Sequence, residues 1–174
     1  MAAIRAAAAE LLAERGPRDI TVRDVAERAG VNHALVHRHF GTKDELIRGV
    51  IAELSAEIGT AAAALGGSDV AALLRLLRAQ PAYWNILART ILDTPEVLAG
   101  HPPPAASIVL AMVSAGREPD DEMRAAAAVA GSLVLGWIVF GQHLGSVLHL
   151  GDTDVFDAAV ADEVRKVLAH GSAD

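Results

Sequence analysis

Residues 21–46 read TVRDVAERAGVNHALVHRHFGTKDEL. Thr21 is placed to cap a helix, and Asp24 three residues on completes a capping box. Val22, Val25, Ala26 and Ala29 recur at three- and four-residue spacing, which makes one apolar helix face. Gly30 then supplies the left-handed backbone position that ends a helix and opens a turn. Asn32 can cap the next helix. Val31, Val36 and Phe40 are spaced to pack inward, which leaves His33, Ala34, His37, Arg38 and His39 on or near the outer face. Thr42 and Glu45 form a second capping box ahead of a longer apolar run. A helix, a glycine turn and a short helix with cationic and polar residues outward is the arrangement that sets its second helix in the DNA major groove.

The rest of the chain must be compatible with that reading. Its 174 residues suit one or two small domains with a real core. Apolar residues make up 52% and aromatics only 3%, so the core is built from Ala, Leu, Val and Ile, which favours closely packed helices. There is no cysteine, which excludes disulfides and thiolate zinc sites. No basic region followed by a long apolar run opens the chain, so a cytoplasmic location is expected. The net charge of −7 divides unevenly. Residues 1–50 carry 8 Lys/Arg against 7 Asp/Glu, and residues 51–174 carry 7 against 15. The acidity therefore lies outside the stretch that would meet DNA, and local charge is what sets an electrostatic footprint.

Spacing and punctuation predict an all-α chain. Helices are expected at Ala3–Arg15, Val22–Ala29, His33–Phe40 and from Lys43 to about Leu65, where Gly66-Gly67-Ser68 breaks the pattern. Asp69 can cap a helix through Gln80, and Pro81 suits the first turn of another through Asp93. Pro95–Gly100 is a short turn, and His101-Pro102-Pro103-Pro104 a stiff extended connection. Helices follow over Ala105–Ala115 and Glu122–Leu150. Gly151-Asp152-Thr153-Asp154 makes a turn and cap before a last helix, Val155–Ala169. Ala125–Gly141 is uncharged for 17 residues, at the short end of what a membrane span needs (~17–25). Gln142 and His143 follow with no Lys/Arg anchor, and a helix apolar all round also suits a core helix that meets its own domain on one side and a partner on the other. Gly131, Gly136, Gly141 and Gly145 would let neighbouring helices approach.

The N-terminal block resembles the TetR/AcrR family of transcriptional regulators. The match begins upstream, with Ile4, Ala7, Ala8, Leu11, Leu12, Glu14 and Gly16. It continues through Val25-Ala26, Ala29-Gly30-Val31, His39-Phe40-Gly41-Thr42-Lys43 and Glu45-Leu46. The resemblance implies a helix-turn-helix DNA-binding domain over residues 1–45 and a helical effector-binding and dimerisation domain over 46–174. Expected DNA-contacting residues are Thr21 and Arg23 at the start of the second helix, and His33, Ala34, Leu35, His37, Arg38 and His39 on the recognition helix. Lys43 at the N-terminus of the fourth helix joins them, where an ammonium and unpaired backbone N–H groups can meet one phosphate. Arg38 suits a bidentate guanine contact or a phosphate contact equally. Two positions depart from the family pattern. Leu35 stands where a small hydroxyl residue is usual and either touches a thymine methyl or turns into the core. His37 stands where Tyr is usual and reaches less far. The basic arm that usually precedes the first helix is nearly absent.

In that family the last two long helices form a four-helix bundle with a second subunit. Leu133, Trp137, Leu144, Leu148, Phe156, Val160, Val164 and Leu168 are the expected dimer interface. An effector pocket would draw on Trp84, Leu87, Ile91, Met112, Trp137 and Phe140, with Asn85, Arg89, Thr90 and His143 as polar partners. His33 and His37 have helical metal-pair spacing, but their place on the recognition face accounts for them and no metal or cofactor is expected. No nucleophile elbow, P-loop, dinucleotide fingerprint or zincin motif is present, which argues against an enzyme. The chain is therefore read as a homodimeric regulator of double-stranded operator DNA, most simply a repressor released by a small apolar or amphipathic effector. A regulator of the same fold under a protein partner or no effector, or a helical bundle without DNA binding, are the alternatives.

Overall fold

The computed structural model describes residues 1–65, 69–101, 106–114, 116–151 and 153–170. Every regular element among them is helical: α1 (Ala2–Arg15), α2 (Val22–Arg28), α3 (His33–Phe40), α4 (Lys43–Ala64), α5 (Val70–Arg78), α6 (Pro81–Asp93), a 3₁₀ turn (Pro95–Leu98), α7 (Ala106–Ser114), α8 (Asp121–Val147) and α9 (Thr153–His170). The bounds lie within a few residues of those expected from spacing. The Gly66-Gly67-Ser68 break, the Pro102–Pro104 connection and Asp152 of the expected turn lie outside the described residues.

The chain forms two compact units, and the division runs through α4. The first comprises Met1–Glu57 and Ala82–Pro103, so it reaches beyond residue 45 in two directions. The physical reason lies in α6. Its Tyr83, Ile86, Leu87 and Thr90 recur on one buried face. The Tyr83 hydroxyl donates to Oγ of Ser55 on α4 at 3.3 Å, and both residues are buried. Burial pushes the Tyr83 phenol pKa up, partly opposed by that hydrogen bond. Arg18 Nε donates to the carbonyl of Asp93 at 2.8 Å, and Arg48 Nη1 to that of Val97 at 3.2 Å. Around these links Ile4, Leu11 and Leu12 of α1, Val25 of α2, Val36 of α3 and Ile47 and Ile51 of α4 are buried. Full burial of each such side chain is worth roughly 1.5–3 kcal/mol before the entropy of ordering it.

The second unit comprises Ile58–Pro81 and Pro104–Asp174. Here α8 packs on α7 and α9, and α5 packs on α8 and α9. Val70, Leu73, Leu74 and Leu77 give α5 its buried stripe, behind an Asp69 cap whose Oδ1 accepts from the Ala72 amide at 2.9 Å. Asp120 caps α8, accepting from the Met123 amide at 2.8 Å. At its far end α8 stops at Val147, short of the expected Leu150. His149 takes a left-handed φ of 51°, and the Leu150 amide turns back to the Gly145 carbonyl at 2.9 Å, which closes the helix. Among the described residues no neighbouring helix comes close to Gly131, Gly136 or Gly141 within this unit, since the one near side chain, Trp137, stands on α8 itself. A Cβ at Gly141 would stand 3.1 Å from the Trp137 ring, whereas Gly131 and Gly136 have nothing within 4 Å.

A charged cluster also sits inside this unit. Asp157 of α9 is buried, with Oδ2 accepting from Arg78 Nη1 at 2.5 Å and Oδ1 from Trp137 Nε1 at 2.6 Å. One carboxylate thus ties α5, α8 and α9 together. Helical spacing alone does not distinguish Asp157 from a solvated acid.

Candidate nucleic-acid interface

The geometry of the head follows from its caps. Thr21 Oγ1 accepts from the Asp24 amide at 3.1 Å, and Asp24 Oδ2 accepts from the Thr21 amide at 2.7 Å. The hydrogen bonds from Thr21, hydroxyl first and amide second, hold the Asp24 carboxyl below its ordinary pKa. Gly30 has φ 65°, and Asn32 Oδ1 accepts from the Ala34 amide at 2.8 Å, so α3 starts directly after the turn. Gly41 has φ 70° and ends α3. Thr42 and Glu45 then form the second box, with the Thr42 amide donating at 2.7 Å and the Glu45 amide returning to Thr42 Oγ1 at 3.2 Å. The Thr42 amide first, and then the Thr42 hydroxyl donating at 2.9 Å, hold the Glu45 carboxyl low as well. On α2, Arg28 reaches Glu14 Oε2 at 3.0 Å and Glu10 Oε2 at 3.2 Å, which fastens α2 to α1. The hydrogen bond from Arg28 is the first cause of the lowered Glu14 pKa.

Within α3 only Val36 is buried; His33, Ala34, Leu35, His37, Arg38 and His39 are all exposed. Val31 and Phe40 are half-buried, and the Arg5 guanidinium lies 5.8 Å from the Phe40 ring centroid. Leu35 is 37% exposed, which removes the reading in which it turns into the core. His33 and His37 meet edge to face with ring centroids 4.5 Å apart, and His37 Nδ1 lies 2.8 Å from the Gly41 carbonyl oxygen. Arg23 is exposed at the start of α2. Two further candidates are partly engaged. The Thr21 hydroxyl donates to Asp24 Oδ2 at 2.7 Å, so its proton is already used. Lys43 Nζ donates to the Arg18 carbonyl at 3.2 Å, which holds the ammonium beside the α2 entrance with its other protons to spare.

The residues expected to line an effector pocket are not brought together within either unit. Trp84, Asn85, Leu87, Arg89, Thr90 and Ile91 belong to the first unit, and Met112, Trp137, Phe140 and His143 to the second. Leu87 and Thr90 are core, and the Thr90 hydroxyl donates to the Ile86 carbonyl at 2.7 Å. Trp84 meets Tyr83 edge to face at 4.8 Å. Arg89 lies over Gly16, where a Cβ would stand 2.7 Å from its Cζ. Asn85, Ile91, Phe140 and His143 are exposed, with Phe140 at 56%. Of the whole set Met112 lines a cavity of about 250 Å³, together with Ala62, Leu65, Asp69, Leu73 and Ile108. Those companions were missed because their spacing reads as ordinary helix packing.

A second, more open groove of about 410 Å³ lies on α8 and α9 and does gather expected residues: Leu133, Trp137, Leu144, Phe156 and Val160. Leu148 is exposed beyond it at the end of α8, and Leu168 is half-buried on α9. Val164 needs correcting. It is 3% exposed and packs in the core of its own unit, so it cannot also face a partner.

Residues 4–50 match the sequence profile of bacterial regulatory proteins of the tetR family. The HTH-type transcriptional repressor Rv3405c of Mycobacterium tuberculosis is 36% identical over 176 residues, covering 96% of this chain and 88% of the relative. Among solved structures, NalD, the secondary repressor of the MexAB-OprM multidrug efflux pump in Pseudomonas aeruginosa, shares the fold with a TM-score of 0.65. It is 19% identical, over 95% of this chain and 94% of its own. The transcriptional regulator FadR of Bacillus subtilis, in complex with stearoyl-CoA, aligns with a TM-score of 0.59 at 16% identity, over 94% and 96% of the two chains. With a capped helix-turn-helix whose second helix faces solvent and a full-length relative of this kind, the chain belongs to the tetR family and is a DNA-binding transcriptional regulator, not an enzyme.

Proposed function

We propose that this regulator is a cytoplasmic homodimeric repressor, holding operator DNA through α3 and released by a small apolar or amphipathic effector. The observation that carries it is the recognition helix itself. α3 buries one residue and turns three imidazoles and a guanidinium outward, between two capped helix N-termini. Base-edge contacts come from other residues of α3, while phosphates meet His37, Arg23, Lys43 and the N-terminal amides of α2 and α4. The name of the Mycobacterium tuberculosis relative supports repression. The α8–α9 groove supports a homodimer, since its lining is apolar apart from Ser132 and Glu163. α8 is long and apolar enough to cross a bilayer. A second copy of the chain, rather than lipid, is the cover that fits a DNA-binding regulator. The Met112 cavity supports an apolar effector, with Asp69 as its one charged lining group. Such a ligand acts by favouring a conformation whose two heads no longer match successive grooves.

Lys43→Ala tests the phosphate assignment. The variant is expected to bind all DNA sequences more weakly by a similar factor, and the salt dependence of log affinity should fall by about one unit of slope. A changed base preference would contradict it. So would an unchanged slope with a lowered melting temperature, which would leave Lys43 only its hydrogen bond to the Arg18 carbonyl.

A further inference from the structure

We infer that operator binding by this head takes up a proton at His37, and that Gly41 is what makes the contact proton-dependent; the inference rests on the DNA-binding reading of α3. His37 Nδ1 lies 2.8 Å from the carbonyl oxygen of Gly41. A carbonyl oxygen can only accept, so Nδ1 carries the hydrogen. The neutral ring is then the Nδ1–H tautomer, and its outward nitrogen, Nε2, offers a lone pair. A phosphate oxygen also offers only lone pairs. Nε2 can therefore meet a phosphate as a donor only in the imidazolium form. A Tyr or Gln at the same position would carry a donor at any pH near neutrality, and this histidine does not.

The surroundings leave that switch in place. Among the described residues no carboxylate hydrogen-bonds His37. On α2, Asp24 is turned into its box with Thr21, and Arg28 is paired with Glu10 and Glu14. At the start of α4, Glu45 caps Thr42 and Lys43 donates to the Arg18 carbonyl. Arg23, Glu27 and Asp44 on those helices are exposed, as are Arg38 and His39 on α3. The ring meets His33 edge to face with centroids 4.5 Å apart, so a charge on one ring would repel a charge on the other.

The direction of the linkage follows. DNA phosphate favours the charged ring, so the bound complex holds its proton to higher pH than the free protein does. The added affinity is fully present at low pH, where the free ring is charged as well, and is lost as pH rises through the titration of the complex. A tenfold preference of the phosphate contact for the charged ring sets the gain per head at up to about tenfold across the whole titration.

The test is operator affinity of the full chain from pH 6 to 8 at fixed salt, for wild type, His37→Tyr and His37→Gln. A nitrogen-15 spectrum of the imidazoles in the DNA-free protein at pH 8 accompanies it. The expected results are an affinity that falls several-fold with rising pH in wild type, a much flatter profile in both variants, and an Nδ1–H tautomer at His37. A flat wild-type profile, an equally steep one in His37→Tyr, or an Nε2–H tautomer would overturn the inference while leaving DNA binding intact. Failure to retain any DNA at either pH would instead overturn the reading of α3 on which it stands.

Discussion

Asp157→Ala is expected to destabilise the protein by about 3 kcal/mol, among the largest losses from any single side chain outside the apolar core. The carboxylate is buried and accepts from both Arg78 and Trp137. Removing it takes the carboxylate from the Arg78 guanidinium and the acceptor from the Trp137 indole N–H, and breaking a buried pair from one side typically costs about 3–5 kcal/mol. The lower end applies because the Arg78 side chain is 31% exposed and can swing toward water. Asp157→Asn should cost less, since an amide oxygen still accepts from the indole. Urea denaturation at neutral pH measures both. A loss below about 1 kcal/mol in the alanine variant would mean that the cluster is dispensable.

Val160→Glu is expected to give monomers and to weaken operator binding about 100-fold or more, because two linked heads bind as one ligand and a single head does not. Val160 is half-buried and lines the α8–α9 groove beside Phe156 and Trp137. A carboxylate there would be buried unpaired by a second copy, and Glu163 of the same groove adds like-charge repulsion. Val164 is unsuitable for this test, since a charge at a residue already buried in the protomer would unfold the chain before it split a dimer. Sedimentation and a DNA titration on the same sample decide the matter. A variant that stays dimeric and binds as wild type would move the interface off this groove.

The head was legible in the sequence because its determinants are local. Capping boxes span three residues, and glycines at helix ends declare their conformation through the absence of a side chain. Thr21–Asp24, Gly30, Asn32 and Thr42–Glu45 all act in the structure as their chemistry requires. The placement of α6 was not legible. Its spacing says that Tyr83, Ile86, Leu87 and Thr90 point inward, but not into which core, and spacing carries no information about a partner almost thirty residues away such as Ser55. Trp84 and Arg89 were therefore assigned to a ligand when the fold uses them against Tyr83 and Gly16. Val164 failed for a related reason: α9 has two apolar faces, and periodicity cannot say which one the protomer keeps. Asp157 did leave a trace. It shares a helix face with Ala161 and Val164, both buried, and an acid on a buried face calls for a cation and a donor elsewhere in the chain.

In the proposed repressor, two copies of α3 read successive major grooves of one duplex. Hydroxyl-radical footprinting of the dimer on the DNA upstream of its own gene tests this most directly, with wild type beside Arg38→Ala. The account predicts two protected patches on one face of the duplex, their centres about one helical turn, roughly 34–36 Å, or a multiple of it apart, and protection that weakens sharply in Arg38→Ala. A dimer that protects no discrete site at low salt, or a footprint indifferent to Arg38, would contradict it.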